Sequence, residues 1–283
     1  MARKPYFVKN VFQRYKISKI KVLFSRVRIF CIGGDEMTRL QEDWCFNQGI
    51  KLHYLDSNPN DKKHLPLLIC PGLSEPAENY VPFLSALPAR RCIALSFRGR
   101  GKSDSPQKGY SLEHHVSDME ALVQHIGVEA FYLMGYSRGV SYALGYALQY
   151  PARIKGLLLA EYPAEHKEMP KGWADEYLVS YWGNKQGASL LKAHVVRGIE
   201  KDSRQIDFWD ELKKIQCPTI IMRGTGEESL LSDKEAMRYV ACLQPARSHI
   251  EVFEGAGHTI KDSDHEKFVE VVNQFLSNID TRP

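Results

Sequence analysis

The chain has 283 residues, enough for one large α/β domain with a modest insertion or for two small domains, and its 43% apolar and 25% charged content is ordinary for a globular protein. No run approaches the ~18 uninterrupted apolar residues of a membrane-spanning helix. The six cysteines include no C-x-x-C pair, which argues against a structural zinc site and for plain buried thiols in a reducing cytoplasm.

The net charge of +4 is unevenly spread: residues 1–36 hold nine basic and two acidic side chains, which leaves 29 basic against 32 acidic over residues 37–283. The main body is therefore mildly acidic, with no electrostatic case for binding nucleic acid. In the basic leader, Val8, Val11, Phe12 and Tyr15 recur at helical spacing among lysines and arginines, as in a helix lying on an anionic membrane surface. A secretory signal would need a charge-free apolar core and a small-residue cleavage site, and neither is present. Gly33-Gly34-Asp35-Glu36-Met37 could also be encoded by a bacterial ribosome-binding site set before a start codon, and we read Met37 as the true start of the protein. The expected organisation is a leader over 1–36 and one domain over 37–283.

Along the body, Asp43 to Asn47 and Ile50 to Leu55 alternate around Gln48-Gly49, which predicts an antiparallel hairpin at a sheet edge. Leu65 to Cys70 and Cys92 to Phe97 read as buried strands, the first ending in Pro71-Gly72-Leu73-Ser74 and the second in Arg98-Gly99-Arg100-Gly101-Lys102-Ser103-Asp104. The glycines of the second turn invite a phosphate-cradle reading, but no helix follows at P-loop spacing, so the turn is read as architectural. Ser111 can cap a helix with Leu112, Val116, Met119, Val123 and Ile126 on one face, ended by Gly127, with His114, His115 and His125 as solvated histidines.

The stretch from Phe131 to Tyr150 organises the rest. Phe131 to Met134 forms a short apolar strand, Gly135-Tyr136-Ser137-Arg138-Gly139 follows at once, and Val140, Ala143, Leu144, Ala147 and Leu148 then recur at helical spacing until Pro151. Side chains flanking the serine on so tight a turn would collide with the neighbouring strand and helix, so glycines stand there and the Ser137 hydroxyl projects from the sheet end. Ile154 to Ala160 forms a further strand ending at Glu161, Thr219 to Met222 another, and Ile250 to Phe253 the last, ahead of Gly255-Ala256-Gly257-His258. A closing helix follows with Phe268, Val271, Val272, Phe275 and Leu276 on one face. Such alternation predicts a mostly parallel twisted sheet with helices on both faces. Between Tyr162 and about Leu212 the pattern breaks, and Trp173, Tyr177, Tyr181 and Trp182 supply an aromatic set, the first three spaced to share one helical face.

Strand, Gly-x-Ser-x-Gly and helix together resemble the α/β-hydrolase superfamily, and the similarity extends over residues 43 to 278. It implies that residues 162–212 form a helical cap, whose aromatic residues make either a substrate pocket or the cap's own core. It implies Ser137 as nucleophile and His258 as its base, in the chain order serine, acid, histidine. For the acid, Glu227, Glu161 and Glu228 remain open: an aspartate is usual after the strand that ends here at Arg223, while the end of the preceding strand is a position some members use. The backbone N–H groups of Leu73 and Arg138 are the implied oxyanion donors. The Arg138 side chain could pair with Glu161 or meet a substrate carboxylate, and the ion pair is the expected arrangement. These residues need no metal and no cofactor.

The expected function is that of a metal-free serine hydrolase cleaving a small ester or related acyl bond through an acyl-enzyme. Its partner is a small ester-like molecule, with no nucleic acid and no stable membrane insertion; protein partners cannot be read from the chain. A hydrolase-fold receptor for a small signal molecule, or a carbon–carbon bond hydrolase on the same triad, are the alternatives.

Overall fold

Leu67–Cys70, Cys92–Leu95, Phe131–Tyr136 and Thr219–Gly224 are buried at every position. Only strands covered on both faces take such runs, and a parallel sheet sandwiched between helices provides that environment. A computed structural model describes residues 40–243 and 247–281. The proposed leader over 1–36 and the proposed start at Met37 lie outside the described residues.

The main sheet contains β1 (Gln41–Asn47), β2 (Ile50–Asp56), β3 (Leu67–Cys70), β4 (Cys92–Leu95), β5 (Phe131–Tyr136), β6 (Ile154–Ala160), β7 (Thr219–Gly224) and β8 (Ser248–Phe253). Their spatial order is β1-β2-β4-β3-β5-β6-β7-β8. β2 runs antiparallel to both β1 and β4, and every other neighbouring pair is parallel. The β1–β2 hairpin turns at Gln48-Gly49, both with positive φ, and forms one edge as its alternation predicts.

Alternate strand residues feed two cores. On one face Leu68, Ile93, Leu133, Leu157 and Ile221 pack with helices α2 (Leu112–Ile126), α3 (Gly139–Gln149) and α6 (Asp233–Cys242). On the other, Ile69, Ala94, Met134, Leu158 and Met222 pack with α1 (Val81–Ala86) and α7 (His265–Asp280), through Phe83, Phe268, Val272 and Leu276. Burying each of the leucines, isoleucines, methionines and phenylalanines among them contributes roughly 1.5–3 kcal/mol. Among the described residues no helix is long and apolar enough to cross a membrane.

Two differences from the sequence-based expectation concern α2. Ser111 occupies its N-cap, but the hydroxyl turns to Glu113 and His114 and caps no backbone N–H. His115 is fully buried, stacked on Tyr142 at 4.2 Å with the rings 7° from parallel, where a solvated histidine was expected. Its position beside Val116 puts it on the packed face of the helix.

The segment between β6 and β7 carries α4 (Trp173–Val179), α5 (Ala193–Asp202) and a two-residue hairpin, Tyr181–Trp182 with Lys185–Gln186. Ala174, Tyr177, Leu191, Val195, Val196 and Ile199 form its own core together with Tyr110. α4 stops at Ser180, which is extended (φ −71°, ψ 154°), so Tyr181 leaves the helical face shared by Trp173 and Tyr177 and is 71% exposed. The hairpin instead returns Trp182 to Tyr177, with ring centroids 5.4 Å apart and the rings tilted by 34°.

Candidate active site

Ser137 follows the last residue of β5 and precedes α3. Its φ of 53° is a left-handed conformation that non-glycine residues rarely adopt. The turn is tight enough that glycine is required on either side. A Cβ on Gly135 would lie 2.6 Å from the Val140 backbone, and one on Gly139 would lie 2.1 Å from the Cys70 carbonyl oxygen. Arg138 is at the N-terminus of α3, where the helix dipole favours negative charge.

The Ser137 hydroxyl is 2.9 Å from His258 Nε2. His258 Nδ1 lies 3.3 Å from Glu161 Oε2, so hydroxyl, imidazole and carboxylate form one chain. Glu161 is fully buried and follows β6 with its own positive φ of 58°. Its Oε1 accepts from Gly224 N–H (2.6 Å) and the Ser229 hydroxyl (2.9 Å), and its Oε2 accepts from Leu230 N–H (3.0 Å). The loop after β7 thus provides donors that hold the carboxylate of the neighbouring strand. Glu227 and Glu228 in that loop are exposed, and Glu228 lies against Gly257. Behind the imidazole, the Tyr136 hydroxyl donates to the His258 carbonyl at 2.6 Å.

Leu73 belongs to a loop fixed from two sides. Gly72 N–H donates to Glu75 Oε2 at 3.0 Å, and the Leu73 carbonyl accepts from Arg100 Nε at 2.8 Å. A Cβ on Gly72 would approach Ser137 Cβ to 3.2 Å, so this loop lies directly against the serine. Glu75 is in turn held by the Tyr80 hydroxyl (2.9 Å) and Lys261 (3.0 Å).

Arg138 does not pair with Glu161. Its guanidinium crosses to the segment between β6 and β7, where Nη2 meets His166 Nε2 (3.1 Å) and the Lys167 carbonyl (2.9 Å). The reason is directional: Glu161 is already saturated by donors from the β7 side. His166 Nδ1 lies 2.9 Å from the Ser141 hydroxyl, which itself donates to the Arg138 carbonyl, so the ring is the neutral tautomer with its proton on Nδ1. Burial, with the Arg138 charge adding, pulls the His166 pKa down to about 3.

Sequence reasoning missed Arg100, His115 and His166. Arg100 is 1% exposed and donates through Nη1 to the Arg98 carbonyl (2.7 Å) and to His115 Nε2 (3.2 Å). Burial first, then the Arg100 charge, holds His115 well below the ordinary histidine range. Arg98 itself is structural: it forms a buried bidentate pair with Asp118, and Asn47 also donates to that carboxylate. The expected aromatic set divides. Trp173, Tyr177 and Trp182 lie in sequence with their rings tilted against one another, Tyr177 within the core of the segment between β6 and β7, which also receives Leu73 from the site loop, while Tyr181 is exposed.

The site is open to solvent through the imidazole edge, the His258 side chain being 27% exposed. A groove of about 610 Å³ lined by Leu87, Arg90, Val269 and Asn273 shares no lining residue with it.

Comparison with known proteins agrees with this fold. The sequence model of the alpha/beta hydrolase fold family matches residues 66–215. A Bacillus subtilis (strain 168) protein with the provisional name 2-succinyl-6-hydroxy-2,4-cyclohexadiene-1-carboxylate synthase is 23% identical, over 82% of this chain and 97% of that one. An N-formylmaleamate deformylase of Pseudomonas putida (strain KT2440) is 23% identical over 81% and 94%. Among solved structures, an α/β hydrolase from a Medee basin deep-sea metagenome library superposes with a TM-score of 0.73 at 18% identity, covering 83% of this chain and 97% of its own.

Proposed function

Because the chain belongs to the alpha/beta hydrolase fold family, we propose that it is a serine hydrolase that cleaves a small ester or related acyl bond through an acyl-enzyme on Ser137. The observation that carries the reading is the unbroken contact from Ser137 Oγ through both nitrogens of His258 to Glu161.

A serine hydroxyl is a weak nucleophile at neutral pH and needs a base within hydrogen-bond reach. His258 Nε2 takes the Ser137 proton as Oγ attacks the substrate carbonyl carbon. The imidazolium that forms is stabilised and oriented by Glu161, which three further donors hold in place. Negative charge on the former carbonyl oxygen falls to the backbone N–H groups of Leu73 and Arg138, whose loss typically costs ~10²–10³ in turnover. The tetrahedral species collapses as His258 returns the proton to the leaving group. Water then repeats the sequence on the acyl-enzyme, releasing the acid and restoring the Ser137 hydroxyl.

The test is covalent labelling with a fluorophosphonate probe, together with turnover of p-nitrophenyl esters by the wild type and Ser137→Ala. Labelling at Ser137, with turnover lost in the variant, is the expected result. Undiminished turnover by Ser137→Ala would overturn the proposal.

A further inference from the structure

Among the described residues, six buried side-chain polar atoms lack a hydrogen-bond partner. Such atoms are costly and call for a specific explanation, commonly a missing ligand or water. Two of them, His53 Nε2 and Glu78 Oε2, belong to a cluster in which Lys102 bridges Glu42 and Glu78 and His53 lies between the two carboxylates, and the Arg90 guanidinium is itself paired with Asp280 through Nη2. The other three are Arg100 Nη2, Arg138 Nε and the Tyr177 hydroxyl. All three are donors.

Arg100 and Tyr177 both adjoin Leu73, and Arg138 follows the nucleophile in the chain. Arg138 is the residue after Ser137, and Arg100 holds the carbonyl of Leu73 in the loop packed against Ser137. Tyr177 is in the core that receives Leu73, lies beside Ser74 without a well-formed hydrogen bond, and is within electrostatic reach of Arg100. The two arginines feel each other's charge, and burial lowers the Arg100 pKa. Arg100 and Arg138 are 1% and 2% exposed.

Neither arginine has an ion-pair partner among the described residues. The acceptors facing them are the neutral imidazoles of His115 and His166, backbone carbonyls, the Tyr162 hydroxyl and the Met169 sulfur, none of them charged. Asp118, the carboxylate whose field reaches Arg100, is occupied by Arg98 and Asn47. Two buried positive charges, one on the residue after the nucleophile and one on the loop of Leu73, thus lack a counter-charge among the described residues, an arrangement that is costly unless one arrives.

Resting on the reading of Ser137 as nucleophile, we infer that the substrate is an acyl compound carrying a carboxylate, received by Arg100 Nη2, Arg138 Nε and the Tyr177 hydroxyl. A carboxylate offers a planar pair of acceptors suited to guanidinium donors. Binding supplies the counter-charge that the fold withholds, and it orients the acyl group from the cap side of the oxyanion loop.

Two measurements test this. The first compares kcat/KM for p-nitrophenyl hydrogen glutarate and p-nitrophenyl valerate, which match in length and differ in a terminal carboxylate against a methyl group. The expected preference is at least tenfold for the charged ester in the wild type. It should shrink at least fivefold in Arg100→Gln, chiefly through KM for the charged ester, and recover partly in Arg100→Lys. The second is calorimetric binding of succinate, glutarate and adipate against their diamides, with Tyr177→Phe as the variant should Arg100→Gln fail to fold. At least one dicarboxylate should bind more tightly than its diamide, and weaken in the variant. Equal handling of the two esters, with no dicarboxylate preferred over its diamide, overturns the inference while leaving the hydrolase reading intact. Dicarboxylate binding that depends on Arg100 or Tyr177, without turnover of either ester, retains the anion site and removes the hydrolase reading.

Discussion

Ser137 and Glu161 occupy equivalent corners on neighbouring parallel strands. Tyr136 is in register with Ala160, and the next residue on each strand turns into a left-handed backbone conformation, with φ of 53° and 58°. Ser137 N–H donates to the Ala160 carbonyl at 2.8 Å, and Glu161 N–H donates to the Met222 carbonyl at 2.9 Å, so both residues extend the sheet ladder by one step. Strain of about 1–3 kcal/mol per such residue is tolerated because the ladder and the donors around Glu161 over-determine both turns.

This placement makes a directional prediction for the acid. Glu161→Gln should lower turnover by about 10³–10⁴, as removal of a histidine-orienting carboxylate does elsewhere, with little change in KM. Glu227→Gln should stay within twofold of wild type. Steady-state kinetics on one ester separates the two, and a large loss in the Glu227 variant alone would refute the assignment.

The elbow predicts a stability effect. Gly139→Ala places a methyl group 2.1 Å from the Cys70 carbonyl oxygen, where the neighbour is backbone and cannot swing aside. The end of β3 must move relative to α3, at a cost of about 1–3 kcal/mol or more. Urea denaturation should show a lower midpoint, and turnover should fall as well, because the shifted segment continues into Gly72 and Leu73.

Glu75 tests whether the loop carrying Leu73 needs its anchor. Its carboxylate accepts from Gly72 N–H and the Tyr80 hydroxyl while meeting Lys261. Glu75→Gln can keep one amide acceptor but loses the charge. The expected result is a kcat reduced by roughly 10-fold, less than the ~10²–10³ of a donor removed outright, with the thermal midpoint changed by only a few degrees.

Much of the fold was legible because strand and helix periods differ: the buried runs, the glycine elbow and the closing helix each carry a local pattern. Ser137 and His258 were distinctive for the same reason, one between two glycines and the other at the end of a glycine-rich strand exit. The choice among Glu161, Glu227 and Glu228 was not legible. It depends on which loop supplies the acid and which supplies the donors, and here Gly224, Ser229 and Leu230 are the donors. Arg100 and His115 escaped because their partners lie across the fold, and a helix wheel does not distinguish a histidine stacked on Tyr142 from one in water. Tyr181 was misplaced because spacing by four residues gives no sign that the helix ends at Ser180.

His166 makes the stability of the contact between Arg138 and the segment after β6 depend on pH. In the folded protein its pKa is about 3, against an ordinary value of 6.5. It stays neutral while folded and takes up a proton on unfolding, so the unfolded state binds more protons between those values. Stability contributed by the neutral ring is fully present above pH ~6.5 and is lost progressively as the solution is acidified toward pH 3, by about 1.4 kcal/mol for each pH step of one across that window. The histidine at 115, also depressed, adds to the same slope. His166→Gln removes the titrating group and keeps a side-chain acceptor for Arg138 Nη2. Its unfolding free energy at pH 8 should be modestly lower than wild type, and its decline between pH 6.5 and 4.5 should be shallower. Parallel declines in the two proteins, measured by urea denaturation across that range, would show that the imidazole is protonated in the folded state and that Arg138 is held by another group.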